Sequence, residues 1–194
     1  MTYATIVADP PWHYPDFVSY PGSRTSRNAN GKQGGQRRVT KPLPYPSMTV
    51  DEIAALPVAD LASRDCALWL WTTSAYIREG FQVMAAWGFA YKQTLVWHKI
   101  RAVPALGGSV APNHAEFLLL GKRGAPKLGR LPSSVIQAPG NSGGAPKHSR
   151  KPEAFLDLIE SVSPDPRVEM FARRNRMGWD TWGNEALSHV EMAS

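Results

Sequence analysis

The chain has 194 residues, enough for one domain with a substantial core and short for two. Apolar residues make up 43% and no apolar run reaches membrane-spanning length, nor does the N-terminus carry a signal peptide's basic start, so a cytoplasmic protein is expected. The single cysteine, Cys66, excludes an internal disulfide, and the net charge of +6 favours anionic partners over cationic ones.

In chain order, Tyr3–Ala8 (YATIVA) is an apolar run that predicts a buried strand. Asp9-Pro10-Pro11-Trp12 follows, and two consecutive prolines end any regular element there. From Tyr20 to Pro44 the chain is rich in Gly, Arg and Asn without periodicity, which predicts a long basic loop. Thr49 and Glu52 have capping-box spacing and open a short helix ending near Pro57. Cys66–Trp71 predicts a second buried strand, and Ser74–Trp87 a helix stopped by Gly88. Thr94–His98, Glu116–Leu120 and the short pair Val135-Ile136 read as further strands. Pro152 begins a helix running to Val162, with Phe155, Leu156, Leu158 and Ile159 as its apolar face. Arg167–Phe171 is a last strand and ends in the basic loop Ala172–Arg176. Helices alternating with apolar strands predict an α/β fold, a mostly parallel sheet with helices on both faces, in a single domain spanning 1–194. If the first and last strands are parallel neighbours, Asp9 and Arg173 emerge at one edge of the sheet.

Charge is unevenly spread. Between Pro21 and Lys41 there are six basic residues and no acidic one, and from Gly80 to Pro152 the sole acid is Glu116. Such stretches attract a polyanion, nucleic acid first among them, although a merely solvated basic surface reads the same way. The stiff Asp9–Trp12 corner carries one carboxylate, carbonyls relieved of their neighbouring N–H donors, and an indole. It suits an amino group on a flat aromatic ring: acceptors for the hydrogens, and Trp12 to stack on the ring. The five histidines lack ligand spacing with cysteines or acids, so no metal is expected. Gly140–Gly144 lacks the Lys-Ser/Thr of a phosphate-binding loop.

Seven pieces then occur in one order: ADPPW at Ala8–Trp12, LPYPSM at Leu43–Met48, LWLWTT at Leu68–Thr73, LVWHK at Leu95–Lys99, NHAEFLLLGKRG at Asn113–Gly124, HSRKPEAF at His148–Phe155, and VEMFARRNRMGWDTWGNE at Val168–Glu185. In these the chain resembles the adenine N6-methyltransferases named for the seventy-kilodalton subunit of the mRNA adenosine methyltransferase. The resemblance implies a Rossmann-like methyltransferase fold in which the catalytic motif precedes the cofactor strand. It implies S-adenosylmethionine as methyl donor and the N6 amino group of adenine in nucleic acid as acceptor. DNA is preferred over RNA, on the analogy of a compact bacterial or phage protein acting as monomer or homodimer. The alternatives are an RNA adenosine or cytosine N4-methyltransferase, and a non-catalytic nucleic-acid-binding paralogue.

By this resemblance Asp9, Pro10, Pro11 and Trp12 are catalytic, with Asp9 also facing the donor. Lys151, Arg173, Asn175, Asn184 and Glu185 hold the donor, and Tyr45, Trp71, Glu116 and Arg150 line the substrate side. Residue chemistry alone leaves competing roles open. Lys151 and Arg173 also suit phosphate steering, Asn184 and Glu185 suit helix capping, and Trp71 suits either core or site. Trp69, Trp87 and Trp97 are expected in the core. No glycine-rich fingerprint follows the cofactor strand, since Ala172-Arg173-Arg174 stands there. Donor contacts made upstream of the motif in longer members would fall to His13 or the Tyr20–Pro44 stretch.

Overall fold

The computed structural model describes residues 1–14, 46–100, 114–139, 151–183 and 186–190. Tyr45, Arg150, Asn184, Glu185, the basic stretch 20–44 and Gly140–Gly144 lie outside the described residues. The elements are β1 (Tyr3–Ala8), α1 (Val50–Ala54), α2 (Val58–Leu61), β2 (Ala62–Thr72), α3 (Ile77–Ala86) and β3 (Ala90–Ile100). They continue with β4 (Ala115–Arg123), β5 (Val135–Pro139), α4 (Glu153–Val162), β6 (Arg167–Met170) and β7 (Asp180–Trp182).

The strands form one sheet in the order β5-β3-β4-β2-β1-β6-β7. Neighbours are parallel except that β4 runs against both β2 and β3. The mostly parallel sheet expected from the sequence is present, and two details differ. β4 is reversed, because a continuous apolar run such as Phe117–Leu120 reads the same in either direction. β7 was not expected, since three residues are too few to display a period of two.

Alternation along each strand divides the core. Ile6, Ala8, Leu68, Leu70, Val168 and Met170 face the side covered by Ile53 of α1 and Val83 and Met84 of α3. Val7, Ala67, Trp69, Trp71, Leu118 and Leu120 face the side covered by Phe155, Leu156 and Ile159 of α4. Helices therefore cover both faces, and burial of each large side chain contributes roughly 1.5–3 kcal/mol. Trp69, Trp87 and Trp97 are core residues with satisfied indole N–H groups, donating to Ser163 Oγ, Ile53 O and Ala138 O at 3.0, 3.0 and 3.1 Å. The expected capping box is formed: Thr49 Oγ1 accepts from Glu52 N–H, and Glu52 Oε2 accepts from Thr49 N–H.

The chain leaves β1 toward β2 on one side and returns through β6 on the other. That reversal opens a crevice beyond the carboxyl ends of β1 and β6. Ala8 pairs with Met170, so Asp9 and Phe171 leave the sheet at the same edge, with Arg173 two residues on.

Candidate active site

The corner after β1 is fixed by backbone bonds. Trp12 N–H donates to Pro10 O at 2.9 Å, Met48 N–H to Pro11 O at 2.9 Å, and His13 N–H to Met48 O at 3.1 Å. Each proline carbonyl keeps a second lone pair for a further donor. Trp12 is 5% exposed. Its indole N–H donates to Trp71 O at 3.3 Å, and its ring stacks on Tyr76 at a centroid separation of 5.2 Å. Tyr76 in turn donates its hydroxyl to His13 O. The open stacking face expected of Trp12 is thus corrected: Tyr76 covers the indole, which packs inward and anchors the corner.

A pocket of about 160 Å³ opens at this corner. It gathers Asp9, Pro10, Pro11, an edge of Trp12, Glu116, Lys151 and Arg173, seven residues singled out in the sequence. Residues not anticipated there are Tyr14, Pro46, Met48, Thr72, Thr73, Phe171, Ala172, Trp182 and Gly183. Two backbone features shape the β6 side. Phe171 adopts φ 61, a left-handed conformation uncommon for an aromatic residue, as the chain turns out of β6. Ala172 N–H then donates to Trp182 O at 3.0 Å, and a Cβ on Gly183 would lie 2.4 Å from Ala172 O, so glycine is required at that approach.

Charges alternate across the pocket floor. Lys151 Nζ lies 2.7 Å from both Asp9 oxygens and 3.4 Å from Glu116 Oε2. Glu116 Oε1 lies 2.5 Å from Lys99 Nζ. Trp71 lies beneath the Lys151 ammonium at 5.3 Å and Trp97 beneath that of Lys99 at 5.1 Å, both within cation–π range. Burial pushes the Asp9 carboxyl above its ordinary value, Lys151 pulls it back, Glu116 raises it and Arg173 lowers it. Burial also disfavours the Lys151 ammonium, but Asp9 and Glu116 outweigh it and hold that pKa above the ordinary lysine value. Lys151, expected as a donor clamp, is therefore engaged with the two carboxylates and stays charged.

Two expected site residues are not brought to this pocket. Trp71 is buried edge-on against Trp97 and Phe155, because strand alternation puts it on the same face as Trp69. The Asn175 amide donates to Thr181 Oγ1 and Leu187 O, both at 2.9 Å, and accepts from Leu187 N–H at 3.2 Å, pinning the tail to β7. His13 is exposed and bonds Ser47 Oγ at 2.8 Å rather than facing the pocket. Among the described residues no group of three or more His, Cys, Asp or Glu could hold a metal ion, and no helix is long and apolar enough to cross a membrane.

A doubly wound sheet with a charged crevice at its switch point, and an Asp-Pro-Pro corner ahead of the strand that opens the crevice's other wall, defines a Rossmann-like methyltransferase. The MT-A70 family profile matches residues 3–185, and the chain belongs to that family. It is 32% identical over 185 residues to the type II methyltransferase M.MunI of a Mycoplasma species, covering 94% of this chain and 77% of that one. It is 26% identical over 193 residues to the N(6)-adenosine-methyltransferase catalytic subunit METTL3 of Homo sapiens, covering 94% and 28% respectively. It is also 29% identical over 214 residues to the N6-methyladenosine RNA methyltransferase MTA1 of Pyricularia oryzae, covering 99% and 49%. The chain thus spans half or less of those two longer relatives.

Proposed function

We propose that this protein transfers a methyl group from S-adenosylmethionine to the N6 amino nitrogen of adenine in nucleic acid, with DNA preferred over RNA. The observation that carries this reading is the Asp9-Pro10-Pro11 corner, an ion-paired carboxylate and two proline carbonyls opening into one pocket with Arg173. The lining fits the donor: Arg173 suits a carboxylate, Phe171 and Trp182 offer aromatic surface to a purine, and Gly183 lets the chain close on Ala172. Asn184 and Glu185 remain proposed ribose and purine contacts, and Tyr45 and Arg150 proposed substrate contacts.

When bound, the donor supplies an electrophilic methyl on a sulfonium. The chemical difficulty lies with the acceptor, whose amino lone pair is delocalised into the ring. Asp9 accepts one N–H of that amino group and a proline carbonyl accepts the other, which favours a pyramidal nitrogen and fixes its direction. Lys151 holds Asp9 in place and favours its ionised form, so a fixed negative charge faces the cation that forms as the methyl arrives and before a proton leaves. Glu116 adds a second negative group within reach of the same ammonium.

RNA is the second reading, favoured by similarity to relatives named for adenosine. Labelled-donor assays on matched single- and double-stranded DNA and RNA, followed by nucleoside analysis, test both. N6-methyladenine in DNA is the expected product. Its appearance in RNA alone moves the substrate, and N4-methylcytosine or donor-independent binding without turnover overturns the reading.

A further inference from the structure

The pocket has an aromatic problem. A base held by its amino group at Asp9 needs a ring to lie against, yet Trp12 is covered by Tyr76 and Trp71 is buried beneath Lys151. Phe171 and Trp182 pack edge-on against each other at the end of β6, at 5.2 Å. Among the described residues lining the pocket, the exposed aromatic ring is Tyr14, with 42% of its surface accessible.

Tyr14 is also held in place. Its hydroxyl lies 2.7 Å from Thr73 Oγ1, just past the end of β2, and its ring makes an edge-to-face contact with Tyr76 at 5.0 Å and 87°. A ring restrained from two directions loses little rotamer freedom when a ligand stacks on it. Burial raises the Tyr14 phenol above its ordinary value, Thr73 partly offsets this, and the charges of Glu116 and Lys151 act on it too. The hydroxyl is therefore protonated at neutral pH and sits within electrostatic range of the pocket floor.

We propose that Tyr14 is the platform on which the target adenine stacks while Asp9 holds its amino group, the place that Trp12 does not fill. The assignment rests on the adenine reading above and adds the residue that recognises the base by its face. Trp12 and Tyr76 then form the buried foundation, and Tyr14 the contact surface built on them.

The test begins by locating the methylated adenine by sequencing and replacing it with 2-aminopurine in the same strand. Stacking on Tyr14 quenches that fluorophore in the wild-type complex. Tyr14→Ala is expected to raise KM for the strand roughly 5- to 100-fold, the range for loss of one base–aromatic stack, with a brighter bound probe and unchanged donor affinity. Tyr14→Phe keeps the ring while losing the tie to Thr73, and is expected to restore the quenching and most of the affinity. Tyr14→Ala with wild-type KM and quenching overturns the proposal, as does Tyr14→Phe impaired as severely as Tyr14→Ala. A folded wild-type protein that marks no adenine instead removes the underlying reading.

Discussion

Two carboxylates at the edge where β1 and β6 meet have different fates. Glu169 of β6 pairs in register with Val7 of β1, and Asp9 lies two residues beyond Val7, just past the end of that strand. Burial raises the pKa of both. Asp9 has a cation 2.7 Å from each oxygen. Glu169 has a buried Oε2 without a hydrogen-bond partner among the described residues, and its pKa is pushed up to about 7 by burial first and Asp9 second, with Arg176 lowering it. The same edge therefore gives one carboxylate an ion-pair partner that opposes the effect of burial and leaves a buried oxygen of its neighbour unpaired among the described residues. Burial raises both carboxyls, and the difference between them is the ammonium in direct contact with Asp9.

The largest expected effect comes from removing the paired group. Asp9→Ala should lower kcat by about 10³ or more while donor affinity, measured by calorimetry, stays within a few-fold. A folded, fully active Asp9→Ala enzyme would remove the role given to this carboxylate. Lys151→Met makes Asp9 resemble Glu169 and should act next most strongly. Loss of the ammonium leaves burial and Glu116 to raise Asp9 unopposed by its nearest cation, so the acid limb of the pH–rate profile must move to higher pH. An unmoved limb in Lys151→Met would mean that ionisation of Asp9 does not control the rate.

Much of the site was legible in the sequence, Glu169 was not, and the illegible part has physical causes. Asp9, Pro10 and Pro11 were singled out because charge and fixed φ are properties of the residues themselves, and Glu116, Lys151 and Arg173 through the family resemblance; the pocket brings all six together. That Lys151 pairs with Asp9 depends on how the segment leading into α4 docks against β1 and β2, which local pattern does not encode. Trp12 was expected to be open because its cover, Tyr76, comes from the turn before α3, distant in sequence. Trp71 could have been placed from the sequence: Trp69 and Trp71 are two apart in one strand and share a face. Tyr14 carried no signal, because the role proposed for it depends on Trp12 being covered.

Glu169 gives the smaller, sharper tests of the comparison. A carboxyl raised from 4.5 to about 7 contributes stability that is fully present below pH 4.5 and is lost as pH rises through about 7. Glu169→Gln removes the titration, so Tm should become flatter between pH 5 and 8 and exceed the wild-type value at pH 8, by roughly 2–4 °C per kcal/mol recovered. Turnover should stay close to wild type, because Glu169 does not line the pocket. A wild-type Tm that rises over that interval, with Glu169→Gln unchanged from it, would refute the buried, protonated carboxyl.

Arg176 supplies the smallest effect. It pairs with Asp157 at 2.6 Å and with Glu160, partly exposed arrangements that contribute little to stability. Its charge nevertheless lowers Glu169, so Arg176→Met should push the midpoint of the stability loss above about 7. The decisive version is a double-mutant cycle. In a Glu169→Gln background the same Arg176→Met substitution should no longer produce that shift, since the carboxyl assigned to it is gone and only the acids that Arg176 touches directly remain. If the shift persists, it belongs to Asp157 and Glu160, and Glu169 lies outside the reach of that guanidinium.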